Sequence, residues 1–490
     1  MGVIQRQGLQ SAVITYAGMI TGFLSLLVIQ PWLLTAEEIG LTRVLYSFSF
    51  LISTVLPLSA GNITTKFFPR FRNAEKKHHG FLGLILLFPI LGAAIVFPVL
   101  YFLKDFIAGR YIDESPLFVE YLLYALPLSF LFALIGIINN YLFAIFRPLL
   151  PALAQEVLIR IFFIVLIIFY SLGYLNLDQF VLAYVGTFVV QILILGIQIV
   201  RIGNFSLIPD FKVFTKPVIR EMGIFGFTVF GAGIASMAIK LFDAVILGQF
   251  VPLALVGVYG VAAFIPTFIE APVNALDKVA NSRIANSWQH GDMENIKEIY
   301  YKSSRYLYVL GGFLFLMVVL NVKFLFTLLP GIFVAGIPVV KILSLAALFN
   351  LMTGSNTAII FNSSRFKAGA AALIGVAILN LIMLFVLIPA YGLIGAAWAT
   401  CISSFAYNFF KFAFIRLRFK LQPFDIRTLY ITGAIVAAYF ATSFLPLFGT
   451  VILDVLSHAL LGSLIYAWLI WFSKSAEDLI ELIPFRRKKD

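Results

Sequence analysis

The chain has 490 residues, of which 61% are hydrophobic and 12% charged, with a formal net charge of +12. That composition excludes a soluble globular domain and points to a polytopic, all-α membrane protein. The one cysteine, Cys401, sits in an apolar run, which rules out a disulfide framework and a cysteine-rich metal site.

Fourteen apolar runs reach spanning length, at about 11–34, 43–65, 81–103, 118–146, 151–173, 179–201, 221–249, 253–276, 305–322, 337–361, 368–389, 393–415, 428–447 and 451–473. Arg6 precedes the first run, which is too long for a signal-peptide core and lacks a small-x-small cleavage site, so it is expected to be retained. The run at 118–146 is long enough to need tilt. Pro57, Pro127, Pro266 and Pro272 fall inside spans, as hinges or simple kinks. No connection is long enough for a folded extramembrane domain. The longest, about 277–304, reads as a short amphipathic helix on the cytoplasmic surface.

The basic residues fix the topology. Of 35 Lys and Arg, 28 lie at the N-terminus, in the loops after even-numbered spans or in the tail, among them Lys66, Arg70, Arg72, Arg220, Arg305, Lys411 and Arg416. Opposite loops hold only Arg43, Lys104, Arg110 and Lys323. The positive-inside rule then places both termini in the cytoplasm. The charge excess reflects topology and anionic lipid, with no nucleic-acid partner indicated.

The chain also repeats. Gly136, Phe143 and Arg147 match Gly354, Phe361 and Arg365 at a shift of 218; Ile39-Gly40 matches Val256-Gly257 at 217; Gly173 matches Gly392 at 219. A near-constant shift over six spans suggests duplication of a six-helix unit about an axis along the membrane normal. The expected organisation is a six-helix lobe at 1–205, a second at 206–420, and two extra spans with a basic tail at 421–490.

Few charges lie at membrane depth, where they are expensive and usually face protein or a water-filled cavity. Lys240 and Asp243 share one helical face of the seventh span, and Glu156 and Arg160 stand i, i+4 in the fifth. Lys341 lies near the outer end of the tenth, Arg43 opens the second, and Glu270 is near the inner end of the eighth. Each pair also has a purely structural reading, and Arg43 and Lys341 could snorkel to the outer interface. The cations Arg43, Arg160, Lys240 and Lys341 outnumber unpaired carboxylates, which suits an anionic group such as a diphosphate. His78-His79 reads as a surface pair, with no metal-ligand set nearby. Phosphate-loop, nucleophile-elbow and His-Glu-x-x-His signatures are all missing from the sequence, so it reads as a non-enzyme with no ATP motor. A lipid-using glycosyltransferase or polymerase would more typically carry a large acidic outer loop; the loop at 104–117 is short.

Tyr391-Gly-Leu-Ile-Gly-Ala-Ala-Trp-Ala-Thr400 resembles a signature of polysaccharide repeat-unit flippases, within the multidrug/oligosaccharidyl-lipid/polysaccharide exporter superfamily. Its Gly395, Ala396, Ala397 and Ala399 would allow close helix approach. Residues 34–43, with Phe67-Phe-Pro-Arg-Phe-Arg72, are similar to the first loops of a bacterial branch of that family. Asp243-Ala-Val-Ile-Leu247, followed by Val256-Gly-Val-Tyr259, resembles its Asp-Arg-x-x-Leu pattern, with Ala244 where the family has Arg. The resemblance implies two six-helix lobes, alternating access, and movement of an undecaprenyl-diphosphate-linked oligosaccharide from the inner to the outer leaflet of a bacterial cytoplasmic membrane. It implies that Arg43, Arg160, Lys240 and Lys341 attract the head group, that Asp243 or Glu156 carries a coupling proton or Na⁺, and that Tyr391, Gly392, Gly395, Ala396, Ala397 and Thr400 are structural. The expected partners are lipid-linked oligosaccharide, membrane lipids and polysaccharide polymerase machinery, with a monomer sufficient. A multidrug exporter of the same superfamily and a lipid II flippase are the alternatives; a membrane scaffold would tolerate loss of every intramembrane charge.

Overall fold

The computed structural model describes residues 3–444 and 450–475; side chains of 1–9, 11, 12, 232, 236, 238, 240, 274, 275, 278 and 279 fall outside the described set. Every regular element among the described residues is helical. Where water is excluded, helices satisfy every backbone polar group within the segment. Eleven helices are long and apolar enough to cross a membrane. The count is twelve when Ala36–Val55 and Ala60–Phe71, bent by 45°, form one span. Pro57 sits in that bend, with Leu58 and Ser59 at φ 47° and 66°.

Local sequence explains most ends. Thr35 accepts from the Glu38 N–H at 3.2 Å while the Glu38 carboxylate accepts from the Thr35 N–H at 2.8 Å, a capping box that starts Ala36–Val55. Asn176 and Gln179 do the same for Leu177–Ile202, which stops at left-handed Gly203. Pro127 causes no break because it lies in the first turn of Ala125–Ala144, where N–H groups have no intrahelical acceptor.

Two expectations are corrected. The stretch 277–304 forms no separate surface helix: Thr267–His290 runs straight through it to Gly291, at φ 68°, and Asp292 then caps Met293–Thr327. No breaker lies between Pro272 and Gly291, so both helices simply continue past their apolar runs. The run at 118–146 is shortened by segmentation: Pro116–Glu120 and a 3₁₀ turn at Leu122–Tyr124 lead into Ala125–Ala144.

Helix Phe366–Phe419 is 54 residues long but is interrupted at Gly392, with φ 55° and ψ −128°. A Cβ on Gly395 would lie 2.1 Å from the Leu387 carbonyl oxygen, and Asn380 bonds Ser403 at 3.4 Å. In a straight helix those pairs would be about 12 and 34 Å apart. The segment is therefore a helical hairpin whose arms are antiparallel, and the Tyr391–Thr400 motif is its tip. Ala396, Ala397 and Ala399 are fully buried there. The matched glycines Gly173 and Gly392 both take positive φ, whereas Gly136 lies inside a helix and Gly354, at φ 60°, breaks the tenth span.

The chain divides into two compact units, Met1–Gly257 and Val258–Asp490. In the first, Ala36–Val55 packs between Ala125–Ala144 and Lys216–Leu247, so the seventh span belongs with the first six. In the second, Met293–Thr327 is central, and Ile426–Ser443 and Val451–Phe472 dock on it through Tyr308, Leu316, Ile435 and Tyr466. Arg305 bonds Asp425, the N-cap of Ile426–Ser443, at 2.9 Å.

The repeat leaves one contact that reads the same in both directions. A Cβ on Gly40 would lie 1.9 Å from the Leu253 carbonyl oxygen, and one on Gly257 2.0 Å from that of Ala36. A shift of 217 carries Ala36 to Leu253 and Gly40 to Gly257. The two glycines let duplicated helix starts cross with their backbones touching. Gly40→Val should destabilise the protein by roughly 1–3 kcal/mol through overpacking; an unchanged unfolding temperature in detergent would refute this close crossing.

Candidate functional site

In the first unit, the fifth span opens as Leu149–Leu153, loosens into a π-helical turn at Ala154–Leu158, and continues as Ile159–Ser171. Such π turns recur at functional sites because they re-aim side chains. Here the turn carries Glu156. Arg160 binds it at 3.4 Å, as the i, i+4 spacing predicts, and both side chains stay about one-third exposed, at 31% and 38%. Arg160 also donates to the Gly18 carbonyl of the first helix. A Cβ on Gly18 would meet the Glu156 Cβ at 2.8 Å, so only glycine lets the first helix approach the turn this closely.

Arg43 is brought to the same place from the second span. The charges of Arg43, Arg160 and Glu156 all reach the Tyr46 hydroxyl, and Arg43 also acts on Tyr184. The Arg43 Nε is buried with no hydrogen-bond partner among the described residues. Tyr46 packs edge-on to Phe132 at 5.1 Å, and Tyr184 meets Phe163 and Phe188 at 5.1 and 5.5 Å. The result is a polar site in an aromatic wall, with two guanidinium groups against one carboxylate. Tyr46, Tyr184 and the Gly18 carbonyl were not legible as site members, because neutral groups give no charge signal in sequence.

The other expected residues lie elsewhere. Asp243 is buried on helix Lys216–Leu247, its Oδ1 accepting from the Ala244 N–H at 2.7 Å. The Lys240 side chain lies outside the described residues. Lys341 is in the second unit, where the charge it feels is that of Lys323. Asn350 donates to Glu270 at 3.5 Å. Tyr391 is exposed at the hairpin tip and the Thr400 hydroxyl is buried without a partner. In the first unit, a cleft of about 580 Å³ is lined by Trp32, Glu38, Tyr170 and Asn176, with Tyr170 donating to Glu38 at 2.5 Å. Among the described residues no cluster of His, Cys, Asp and Glu could hold a metal ion.

One buried charge runs against the sequence reading. Lys411, expected at the cytoplasmic surface, is 3% exposed in the second unit. It donates to the Thr357 hydroxyl at 3.1 Å and lies 4.4 Å from the Tyr407 ring centroid. Asp277, on the inner extension of the eighth span, acts on it electrostatically. The hairpin's second arm runs on to Phe419, so Lys411 stands two turns inside its end, on the buried face. Burial pushes the Asp277 carboxyl above the usual carboxylate range, and the Lys411 charge pulls it back.

An acid with a raised folded-state pKa stabilises the fold below its unfolded value and loses that contribution as pH rises through the folded one. The unfolding temperature of the wild type should therefore fall, relative to Asp277→Asn, as pH rises from about 4. Lys411→Met and Asp277→Asn should couple by about 0.5–3 kcal/mol in a double-mutant cycle; strict additivity would separate the two residues.

No family model and no curated protein matches the sequence. Solved structures do. Lipid II flippase MurJ in an inward closed conformation superposes with a TM-score of 0.76 at 16% identity, over 96% of this chain and 100% of that one. An inward-facing multidrug resistance MATE family transporter of the MOP superfamily gives 0.64 at 15% identity, over 84% and 98%. A MOP superfamily transporter from Pyrococcus furiosus, described as having a binding pocket of reverse polarity, gives 0.56 at 16%, over 84% and 95%. At such identities the likeness is one of fold: the chain folds as the polytopic transporters of the MOP superfamily do.

Proposed function

We propose that the protein is an alternating-access transporter that flips an undecaprenyl-diphosphate-linked oligosaccharide from the inner to the outer leaflet of a bacterial cytoplasmic membrane, supplying surface polysaccharide synthesis. Counting hairpin Phe366–Phe419 as two spans and adding Ile426–Ser443 brings the described helices to an even number, fourteen, which supports a reading with both termini on one side. The observation that carries the reading is Arg43. Its buried Nε has no hydrogen-bond partner among the described residues and it acts electrostatically on Tyr46 together with Arg160, so the site has a donor to spare for an anion. A guanidinium matches phosphate oxygens bidentately, and a diphosphate would take both arginines. Glu156 keeps Arg160 oriented between substrates and is the group we assign to a coupling proton or Na⁺. The polyprenyl tail would stay in lipid, so the site need only enclose the polar head. The cavity is internal to one chain, and a monomer suffices. Lys240 and Lys341 are assigned to the head group's path. Polymerase machinery would take the product at the outer face.

A lipid II flippase is the second reading, favoured by the full-length likeness to that fold. Lipids from cells lacking the protein distinguish the two. Polyprenyl-diphosphate oligosaccharide accumulating on the cytoplasmic side supports the first. Rescue of cells depleted of their own lipid II flippase would move the assignment to the second. A charge-assisted hydrogen bond contributes about 1.5–3 kcal/mol, so Arg43→Ala and Arg160→Ala should each lower flipping by about ten-fold or more at unchanged membrane abundance. Arg43→Lys should recover part of it; wild-type rates in both alanine variants would overturn the site.

A further inference from the structure

The cleft of about 580 Å³ in the first unit lies where two helix-to-helix turns meet. One turn joins Gln30–Leu33 to Ala36–Val55 through extended Leu34 and Thr35. The other joins Ile159–Ser171 to Leu177–Ile202, reversing at Gly173 with φ 79° and closing at Asn176. Each turn is set by its own capping box, and the Tyr170 hydroxyl ties the two together by donating to the Glu38 carboxylate. Tyr170 is held in turn against the buried Phe180 ring at 4.7 Å. The cleft is therefore preformed, and its volume falls in the range of small-molecule sites.

Its lining determines what it can hold. Trp32 is 65% exposed although it lines the cleft, so much of its indole is uncovered. An exposed tryptophan at a span end is ordinarily an interfacial anchor, which needs no polar neighbours. Here Thr35, Glu38, Tyr170 and Asn176 line the same cleft. Glu38 accepts from the Thr35 N–H at 2.8 Å and from Tyr170, which leaves about two of a carboxylate's roughly four lone-pair sites for a ligand. The Asn176 Oδ1 accepts from the Gln179 N–H at 2.8 Å, while its amide nitrogen makes no hydrogen bond among the described residues. Acceptors, a donor and an aromatic face together complement a pyranose, which has hydroxyls on its rim and C–H bonds on its faces.

Charge selects among ligands. The Glu38 carboxylate repels an anion. A cation is disfavoured as well, because Ala36–Val55 and Leu177–Ile202 both begin at the cleft and present the positive ends of their dipoles there. A neutral, hydroxyl-rich ligand meets neither penalty.

The cleft is also in register with the arginine site. Glu38 stands five residues before Arg43 on one helix, and Tyr170 ten residues after Arg160 on another, or about 7.5 and 15 Å along the two axes. A short oligosaccharide attached to a diphosphate spans that separation.

We propose that this cleft is a sugar-binding subsite, in which a pyranose stacks on Trp32 while its hydroxyls donate to Glu38 and accept from Asn176. Its assignment to the transported glycan rests on the flippase reading above. Both turns follow odd-numbered spans, so with the termini cytoplasmic the cleft stands at the outer face and takes the glycan as the head group arrives there.

The test uses the full-length protein in nanodiscs, with free glucose, galactose and N-acetylglucosamine as probes read by saturation-transfer difference NMR. Saturation should pass to at least one of them. Trp32→Leu, which keeps an apolar side chain at the span end, should weaken that sugar by about ten-fold. Glu38→Gln, which still completes the capping box, should weaken it by about five-fold. Trp468→Leu, at an equally exposed tryptophan of the second unit, should change nothing. Transfer to none of the sugars, or an undiminished response in both cleft variants, would overturn the subsite. So would binding of tetramethylammonium in place of sugar, which assigns the cleft to a cation. Sugar binding by a protein whose loss accumulates no lipid-linked oligosaccharide would overturn the flippase reading and leave the subsite standing; accumulation without sugar binding would do the reverse.

Discussion

A guanidinium inside an apolar bilayer must find an acceptor, and Arg160 finds two. Its place at membrane depth would cost about 2.5–3.5 kcal/mol on insertion scales. Glu156 and the Gly18 carbonyl offset part of that cost. To supply that carbonyl, the first helix must come close enough that residue 18 has no side chain. To aim Glu156, the fifth span loosens into a π turn. One charge therefore determines the packing of two helices, and the pair it forms leaves Arg43 beside it with a buried donor to spare.

The same logic separates the charges that hold the structure from those free to act. Arg305 is buried against Asp425 and secures the two last helices to the second unit. Lys411 is buried with a hydroxyl, a ring face and a nearby carboxyl, all of which serve its own desolvation. Arg70 and Glu221 are half-exposed, and an exposed pair contributes little to stability. Burial, more than residue type, decides which role a charge takes.

Glycine does a second kind of work. Gly40 and Gly257 remove side chains where two helix starts cross, and the crossing reads the same from both sides, Gly40 on Leu253 and Gly257 on Ala36. Gly392 reverses the chain at the tip of a hairpin that a hydropathy profile reads only as two runs. Gly223, Gly231 and Gly233 are neither crossed nor turned, whereas Gly226 lies against Ile63.

The sequence by itself determined the membrane-spanning helical class, the capping boxes at Thr35 and Asn176, and the Glu156–Arg160 pair. All of these follow from hydropathy, charge placement or spacing within one segment. Tertiary structure alone decided that Arg43 joins that pair, that Tyr46 and Tyr184 complete its wall, that Lys411 is buried, and that the stretch after the eighth span is a helical extension rather than a surface helix. Those outcomes depend on where separate helices come to lie, and neither a neutral tyrosine nor a carbonyl oxygen advertises its neighbours in a one-dimensional pattern. The seventh span shows the same division: its glycines are plain in the sequence, but only packing reveals that Tyr111 and Ser115 hold one end by buried bonds while Phe67 meets Phe225 near the other.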